Sequence, residues 1–269
     1  MREPVRLLAL DVDGTLLTSR HEVTPGVAAA VRRAVDAGLH VVLASARPPS
    51  ALLPVLRDLA DPGGEPPAAI IASQGALTGR YDRRAELTVL AREPMAAAAA
   101  LALVRALPAG VSANWFSRER WLVERLDPLV EQEAAIVGVR PGIVDLAAER
   151  DGPDKVLLLV EREATGLLEG LALPAGLVAV ASTPTHLEVT RAGVDKASAL
   201  ARLCARLGVA PAEVAAMGDG HNDLPLLAFA GIAVAPGNAA AEVLRAADIV
   251  TASNDEDGVA EAIAHLLDG

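Results

Sequence analysis

Apolar residues fall in short runs that stop at acidic or glycine punctuation, and the runs alternate with longer segments of helical period. Val5 to Leu10 has the length of a buried parallel strand and ends at Asp11. Thr24 can cap the helix that follows, Pro25 suits its first position, Val27, Val31 and Val35 share one face, and Gly38 ends it. A second strand over His40 to Ser45, a helix from about Ser50 and a third strand at Ile70 to Ala72 continue the alternation. Such an order predicts an α/β fold with a doubly wound parallel sheet.

After Gly79 the texture changes: Arg80, Arg83 and Arg84 form a basic cluster, and Pro94 to Ala106 is an alanine-rich helix. Strands are expected at Val111 to Phe116, Trp121 to Glu124, Lys155 to Val160 and Leu177 to Ala181, with helices near Pro128 and Ala164. Trp115, Phe116 and Trp121 read as the core of a small domain. Beyond Thr183 the first pattern resumes, with strands at Leu187 to Thr190, Val214 to Met217, Ile232 to Val234 and Ile249 to Thr251. Helices at Lys196 to Leu207, from Asn222, at Ala239 to Arg245 and at Val259 to Leu267 separate them. The expected division is therefore core over 1–79, an inserted α/β cap over 80–183, and core again over 184–269.

With 52% hydrophobic and 22% charged residues, the 269-residue chain reads as globular and water-soluble. A net charge of −11 and 2% aromatic residues argue against nucleic acid as a partner. No apolar run has the length of a membrane span, no signal peptide precedes Asp11, and the single Cys204 falls on an apolar helix face, so a reducing, cytoplasmic location without membrane attachment is expected. Of 24 basic residues only Lys155 and Lys196 are lysine. Lys196 opens a helix, where a cation is poorly placed unless an anion is near, and reads as functional; Lys155 reads as structural.

The chemistry gathers at strand ends. Asp11 and Asp13 share one side of an extended chain before Gly14 permits a sharp turn. Ser45, Lys196 and Gly218-Asp219-Gly220-His221-Asn222-Asp223 fall at or just after other strand ends, so all should meet in one crevice at the carboxyl edge of the sheet. Carboxylates crowded beside Asp11 require a cation, and hard oxygen ligands favour Mg²⁺. A dinucleotide loop is excluded, because its third glycine would fall on Asp223.

The segments LLALDVDGTLL, LASARP, GVDKASAL and MGDGHNDLPLL, followed by GIAVAPGNAAAEV and SNDEDGVAEAI, together resemble the haloacid dehalogenase superfamily, specifically the Cof-like class IIB phosphatases. The interval of 151 positions from Ser45 to Lys196 falls where that class inserts its cap. The resemblance implies that Asp11 is the nucleophile and Asp13 the general acid and base. It implies Mg²⁺ on Asp11, the backbone carbonyl of Asp13, and Asp219, with Asp223 orienting Lys196 or a water on the metal. Ser45, Lys196, Asn222 and the backbone near Gly14 and Ala46 would hold the phosphoryl group, and Arg47, His186 and His221 could touch the substrate or orient its loops. The chain departs from the family at Ser45-Ala46, where Thr-Gly is usual, and at Gln74, where Asn is usual.

The implied activity is hydrolysis of a small phosphorylated metabolite, in this family most often a sugar phosphate. A phosphomutase or phosphotransferase would use the same aspartyl phosphate. A phosphoaccepting receiver shares the sheet and acidic pocket but has no cap, and a non-catalytic sugar-phosphate binder would not need the complete set Asp11, Asp13, Lys196 and Asp219. Oligomeric state is not readable from the chain. Within the cap, Trp115, Arg118 and Trp121 are expected to tune substrate choice.

Overall fold

The alternation begins as expected: β1 (Leu7–Leu10), α1 (Pro25–Asp36), β2 (His40–Ala44), α2 (Pro49–Leu59) and β3 (Ala68–Ala72) follow one another in the computed structural model, which describes residues 3–268. Met1, Arg2 and Gly269, inside the expected core ranges, lie outside the described residues. A hairpin follows, β4 (Leu77–Tyr81) and β5 (Leu87–Arg92). Next come α3 (Ala97–Ala106), β6 (Ser112–Ser117), β7 (Arg120–Val123), α4 (Pro128–Val137), β8 (Gly142–Ile143), β9 (Lys155–Leu159), β10 (Leu177–Thr183) and β11 (His186–Arg191). The last third holds α5 (Lys196–Leu207), β12 (Val214–Met217), α6 (Leu224–Phe229), β13 (Ile232–Ala235), α7 (Ala241–Ala246), β14 (Ile249–Val250) and α8 (Gly258–Asp268).

Eight strands form one sheet in the order β14-β13-β12-β1-β2-β3-β4-β5. The first six are parallel, while β4 and β5 add an antiparallel edge. Strand β1 is apolar at every position because both its faces are covered: Leu8 and Leu10 pack in the core beneath α1, α2 and α8, and Leu7 and Ala9 in the core beneath α5, α6 and α7. Strand order reverses at β1, since the chain runs outward through β2 and β3 on one side and returns through β12 on the other. A ligand crevice is expected at the carboxyl ends of such strands.

The remaining six strands form a second sheet, β10-β11-β9-β6-β7-β8. In β9 the alternation is two-sided: Val156 and Leu158 join Trp115 and Leu103 on one face, and Leu157 and Leu159 join Phe116, Trp121 and Val130 on the other. The aromatic residues are core, as read from the sequence.

Both sheet boundaries differ from the sequence expectation. Residues 80–92, expected in the insert, include most of the β4–β5 hairpin of the larger sheet, and β11, expected in the core, pairs with β9 and β10 in the smaller one. The segment near Ala164 is a short 3-10 turn rather than an α-helix. The crossings are held by charge. Arg92 donates through Nε to Asp154 at 2.6 Å, through Nη1 to Asp151 at 2.6 Å and through Nη2 to the Gly152 carbonyl at 2.7 Å, while Arg191 pairs with Glu93. Tyr81, buried in the larger sheet, donates its hydroxyl to Glu119 in the β6–β7 turn at 2.8 Å. Among the described residues no helix is long and apolar enough to cross a membrane.

Candidate active site

Asp11 leaves the end of β1 with its N–H bonded to the Met217 carbonyl at 2.9 Å, which fixes it beside the end of β12. Its carboxylate is 5% exposed and accepts from Lys196 Nζ at 2.5 Å; the same ammonium donates to Asp223 Oδ1 at 2.7 Å. Lys196 is the first residue of α5, whose cap is Asp195, with Ser198 N–H donating to Asp195 Oδ1 at 2.6 Å. The helix thus begins where its lysine can turn into the crevice instead of meeting solvent.

Asp223 has a second task. Its Oδ2 accepts the N–H groups of Asp219 at 3.2 Å and Gly220 at 3.0 Å, so one carboxylate holds both Lys196 and the loop that carries Asp219. Asp219 in turn accepts the Thr15 hydroxyl at 3.0 Å. At Gly14, φ is +81° and a side chain would collide with the Asp219 carboxylate, so only glycine lets these loops approach. Asn238 and Asn254 brace the turn from behind: Asn238 Nδ2 donates to the Gly14 carbonyl at 2.8 Å, and Asn254 Nδ2 to the Leu17 carbonyl at 2.8 Å.

One oxygen from each of Asp11, Asp219 and Asp223 lies within 4.8 Å of the others. Three carboxylates facing one ammonium leave an excess of negative charge. Burial and the neighbouring Asp223 carboxylate push Asp11 well above the usual carboxylate range, against the pull of Lys196, and burial with Asp223 raises Asp219 likewise. Burial alone would lower Lys196, but Asp11 and Asp223 outweigh it and hold the ammonium charged, above the ordinary lysine value. An all-oxygen donor set with surplus negative charge fits a hard divalent cation.

The expected metal set included Asp13 through its carbonyl; the side chain of Asp13 stands apart from the three-carboxylate group. Arg47 grips it with two bonds, Nε at 2.8 Å and Nη2 at 2.5 Å, and His21 Nδ1 lies 3.7 Å away. Ser45 is 1% exposed and accepts the Arg47 N–H at 3.0 Å, closing a tight loop over Ala46. That loop is backed by strained main chain: Ser73 and Gln74 adopt φ of 52° and 58°, with Gln74 N–H on the Ser45 carbonyl at 3.1 Å and Ser73 N–H on the Arg47 carbonyl at 2.9 Å. The backbone of Gln74 therefore gives the support, while its Nε2 has no hydrogen-bond partner among the described residues. Gly75 follows at φ +100°, where a Cβ would strike the Asp195 carbonyl and stand 3.0 Å from Lys196 N. Replacing Gly75 by Ala should lower stability by about 1–3 kcal/mol through strain alone and displace Lys196; a thermal melt paired with a phosphate-release assay should show both losses.

These residues line a cavity of about 430 Å³ that is bounded by both sheets. Asp11, Asp13, Ser45, Ala46, Arg47, Lys196, Asp219 and Asn222 are on its floor, and Phe116, Lys155, His186 and Glu188 come from the smaller sheet. Of the aromatic side chains only Phe116 reaches it; Trp115, Arg118 and Trp121, expected to tune substrate choice, do not line it. His186 approaches Glu133 at 3.2 Å, whereas His221 approaches Glu242 at 3.3 Å and does not line the cavity. Sequence reasoning gave no role to Thr15, Asn238 or Glu188 and read Lys155, one of only two lysines, as structural. Thr15 and Asn238 stood inside matched segments, whereas Glu188 carried no separate signal.

A model of the family described as haloacid dehalogenase-like hydrolase matches residues 8–263. The chain belongs to the haloacid dehalogenase-like hydrolases. This hydrolase is 29% identical over 266 residues to the 5-amino-6-(5-phospho-D-ribitylamino)uracil phosphatase YcsE of Bacillus subtilis, covering 98% of this chain and 96% of the relative. Among solved structures, the phosphatase BT1666 of Bacteroides thetaiotaomicron superposes with a TM-score of 0.78 at 32% identity, covering 98% of this chain and 95% of that one. TM0651 of Thermotoga maritima superposes at 0.83 with 26% identity and 97% coverage of both chains. With these relatives the hydrolase is a phosphatase, and the readings of a signalling receiver or a non-catalytic binder fall away.

Proposed function

We propose that the enzyme hydrolyses the phosphate monoester of a small metabolite, of the sugar phosphate class, through an aspartyl phosphate on Asp11, with Mg²⁺ as cofactor. The observation that carries this reading is the buried triangle of Asp11, Lys196 and Asp223 beside Asp219. Asp11 Oδ attacks phosphorus as the ester P–O bond breaks, and Asp13 delivers its proton to the departing alkoxide. A water then attacks phosphorus, Asp13 takes the proton back, and the bond from Asp11 to phosphorus breaks to release inorganic phosphate. Arg47 must leave Asp13 for this exchange, and the phosphoryl oxygens offer it an alternative anionic partner. Lys196 and Ser45 hold those oxygens, aided by Asn222 and the backbone near Gly14 and Ala46. When bound by Asp11, Asp219 and the Asp13 carbonyl, Mg²⁺ supplies the countercharge that lets an anionic nucleophile approach an anionic ester. The smaller sheet acts as a cap that surrounds the leaving group and limits water.

The enzyme should release inorganic phosphate from 4-nitrophenyl phosphate and sugar phosphates with Mg²⁺, and excess chelator should remove nearly all of that activity. At about 100 times its dissociation constant, Mg²⁺ should contribute about 2.7 kcal/mol to stability, a rise in Tm of roughly 5–10 °C. Undiminished turnover in chelator would overturn the metal assignment. Transfer of the phosphoryl group to a second sugar instead of water would identify a phosphomutase or phosphotransferase.

A further inference from the structure

The second lysine ends up against the same cavity as the first. Lys155 opens β9, is 3% exposed, and reaches across to the larger sheet, where Nζ donates to the Ala46 carbonyl at 2.8 Å. Its other partner is Glu188 on the neighbouring strand β11, at 2.7 Å and 5% exposed, and Nζ stands 4.9 Å from the centre of the Phe116 ring. We propose that Lys155 and Glu188 together read the leaving group and select one that is uncharged and carries hydroxyls. The inference rests on the phosphatase reading above and adds which residues set its choice of alcohol.

Two features of the pair support this. An ammonium has three N–H donors, and only two acceptors meet Lys155, so the third donor is left for the cavity that Lys155 lines. Glu188 keeps acceptor capacity as well: Oε1 has only a long contact from Ser182 Oγ at 3.4 Å. A hydroxyl satisfies both partners at once, because its oxygen accepts from the ammonium and its proton goes to the carboxylate. A carboxylate on the leaving group could use only the first and would be repelled by Glu188. A leaving group without polar atoms would satisfy neither.

Charge balance points the same way. Lys155 and Glu188 cancel, and the further carboxylate lining this end, Glu133, faces His186 at 3.2 Å, so this end of the cavity has no surplus cation for an acidic group and suits a neutral one, while Lys196 and Arg47 at the other end serve the phosphoryl charge. Phe116 offers an apolar wall beside the pair, suited to the C–H face of a sugar or polyol chain. The bond to the Ala46 carbonyl holds the ammonium in place at the edge of the phosphate loop. A lysine suits this post, since a compact ammonium serves three partners around one atom and a flat guanidinium does not.

The test compares wild type, Lys155→Met and Glu188→Gln on glucose 6-phosphate, sorbitol 6-phosphate, glycerol 3-phosphate, phosphoglycolate and 4-nitrophenyl phosphate, with Mg²⁺ present and Tm recorded. For the best hydroxyl-bearing substrate, Lys155→Met should lose about 10–100-fold in kcat/KM, as expected for one hydrogen bond to a charged group, with a smaller loss on 4-nitrophenyl phosphate. Glu188→Gln should narrow the preference over phosphoglycolate by about 10-fold or more, because the repelling charge is gone. Losses of equal size on every substrate would mean the pair only supports the fold, and the proposal would fail. A second measurement does not depend on turnover. In an Asp11→Asn background, Lys155→Met should weaken calorimetric binding of the sugar and polyol phosphates while leaving the affinity for inorganic phosphate nearly constant. Equal weakening of both kinds of ligand would overturn the proposal even if catalysis proved to be something other than hydrolysis.

Discussion

Replacing Asp11 by Asn should abolish phosphate release, by about 10⁴-fold or more, without unfolding the enzyme. An amide has nearly the same shape but no charge with which to attack phosphorus. The same change removes one of three crowded carboxylates, and here the sign of the stability effect can be worked out. Burial and Asp223 raise the folded-state pKa of Asp11 above its unfolded value, so the ionised group costs folding free energy once the pH exceeds the ordinary carboxylate range. In chelator at neutral pH the Asn variant should therefore melt no lower than wild type. Metal-free wild type should gain stability as the pH falls from neutral toward about 4.5, because Asp11 and Asp219 take up protons more readily folded than unfolded. Mg²⁺ should flatten that rise. Thermal melts at a series of pH values, with and without the ion, measure both effects, and a variant with normal turnover would remove Asp11 from the role of nucleophile.

Lys196→Met should be the most damaging single change to the fold of the site. It leaves Asp11 and Asp223, both nearly inaccessible, without the ammonium that neutralises them, and breaking a buried ion pair in this way costs about 3–5 kcal/mol. For a domain of this size that is roughly 10 °C or more in Tm, accompanied by loss of turnover. Lys196→Arg should not restore activity, since a planar fork cannot occupy the same 1% exposed site between two carboxylates. Part of the lost stability should return in the double variant with Asp11→Asn, which removes the charge that Lys196 had balanced. An active Arg variant would show that charge alone is required.

How much of this could be read from the chain depended on the range of the interaction. Asp11, Asp13, Lys196 and Asp219 were legible because strand ends in a parallel sheet converge, and because the segments around them form a recognisable set. The β4–β5 hairpin was not, since Gly79 and the arginines at 80, 83 and 84 interrupt a pattern that only pairing with β3 makes regular. Strand β11 was found but placed in the wrong sheet: His186–Arg191 has the same local composition whether its partner is β9 or a core strand, and partner choice is decided by residues far along the chain. Lys155 opens an apolar run, so in sequence it resembles any charged residue at a strand start. Its value became visible only when the register put it beside Phe116 and the Ala46 carbonyl. Asp13 was placed beside Asp11 by period-two spacing and given its role by the family resemblance, and neither announced its bond to Arg47.

The placement of both lysines inside one crevice has a practical consequence for labelling. The outward cations are guanidinium groups such as Arg20 and Arg125, so an acylating reagent meets no lysine amine on the outer surface. Such a reagent can attack Lys155 only once the ammonium has lost a proton and its bond to the Ala46 carbonyl, and breaking that bond requires the two sheets to part. The rate of acylation at that position is therefore a clock for opening, readable by mass spectrometry without a fluorophore, and a ligand that holds the sheets together should slow it.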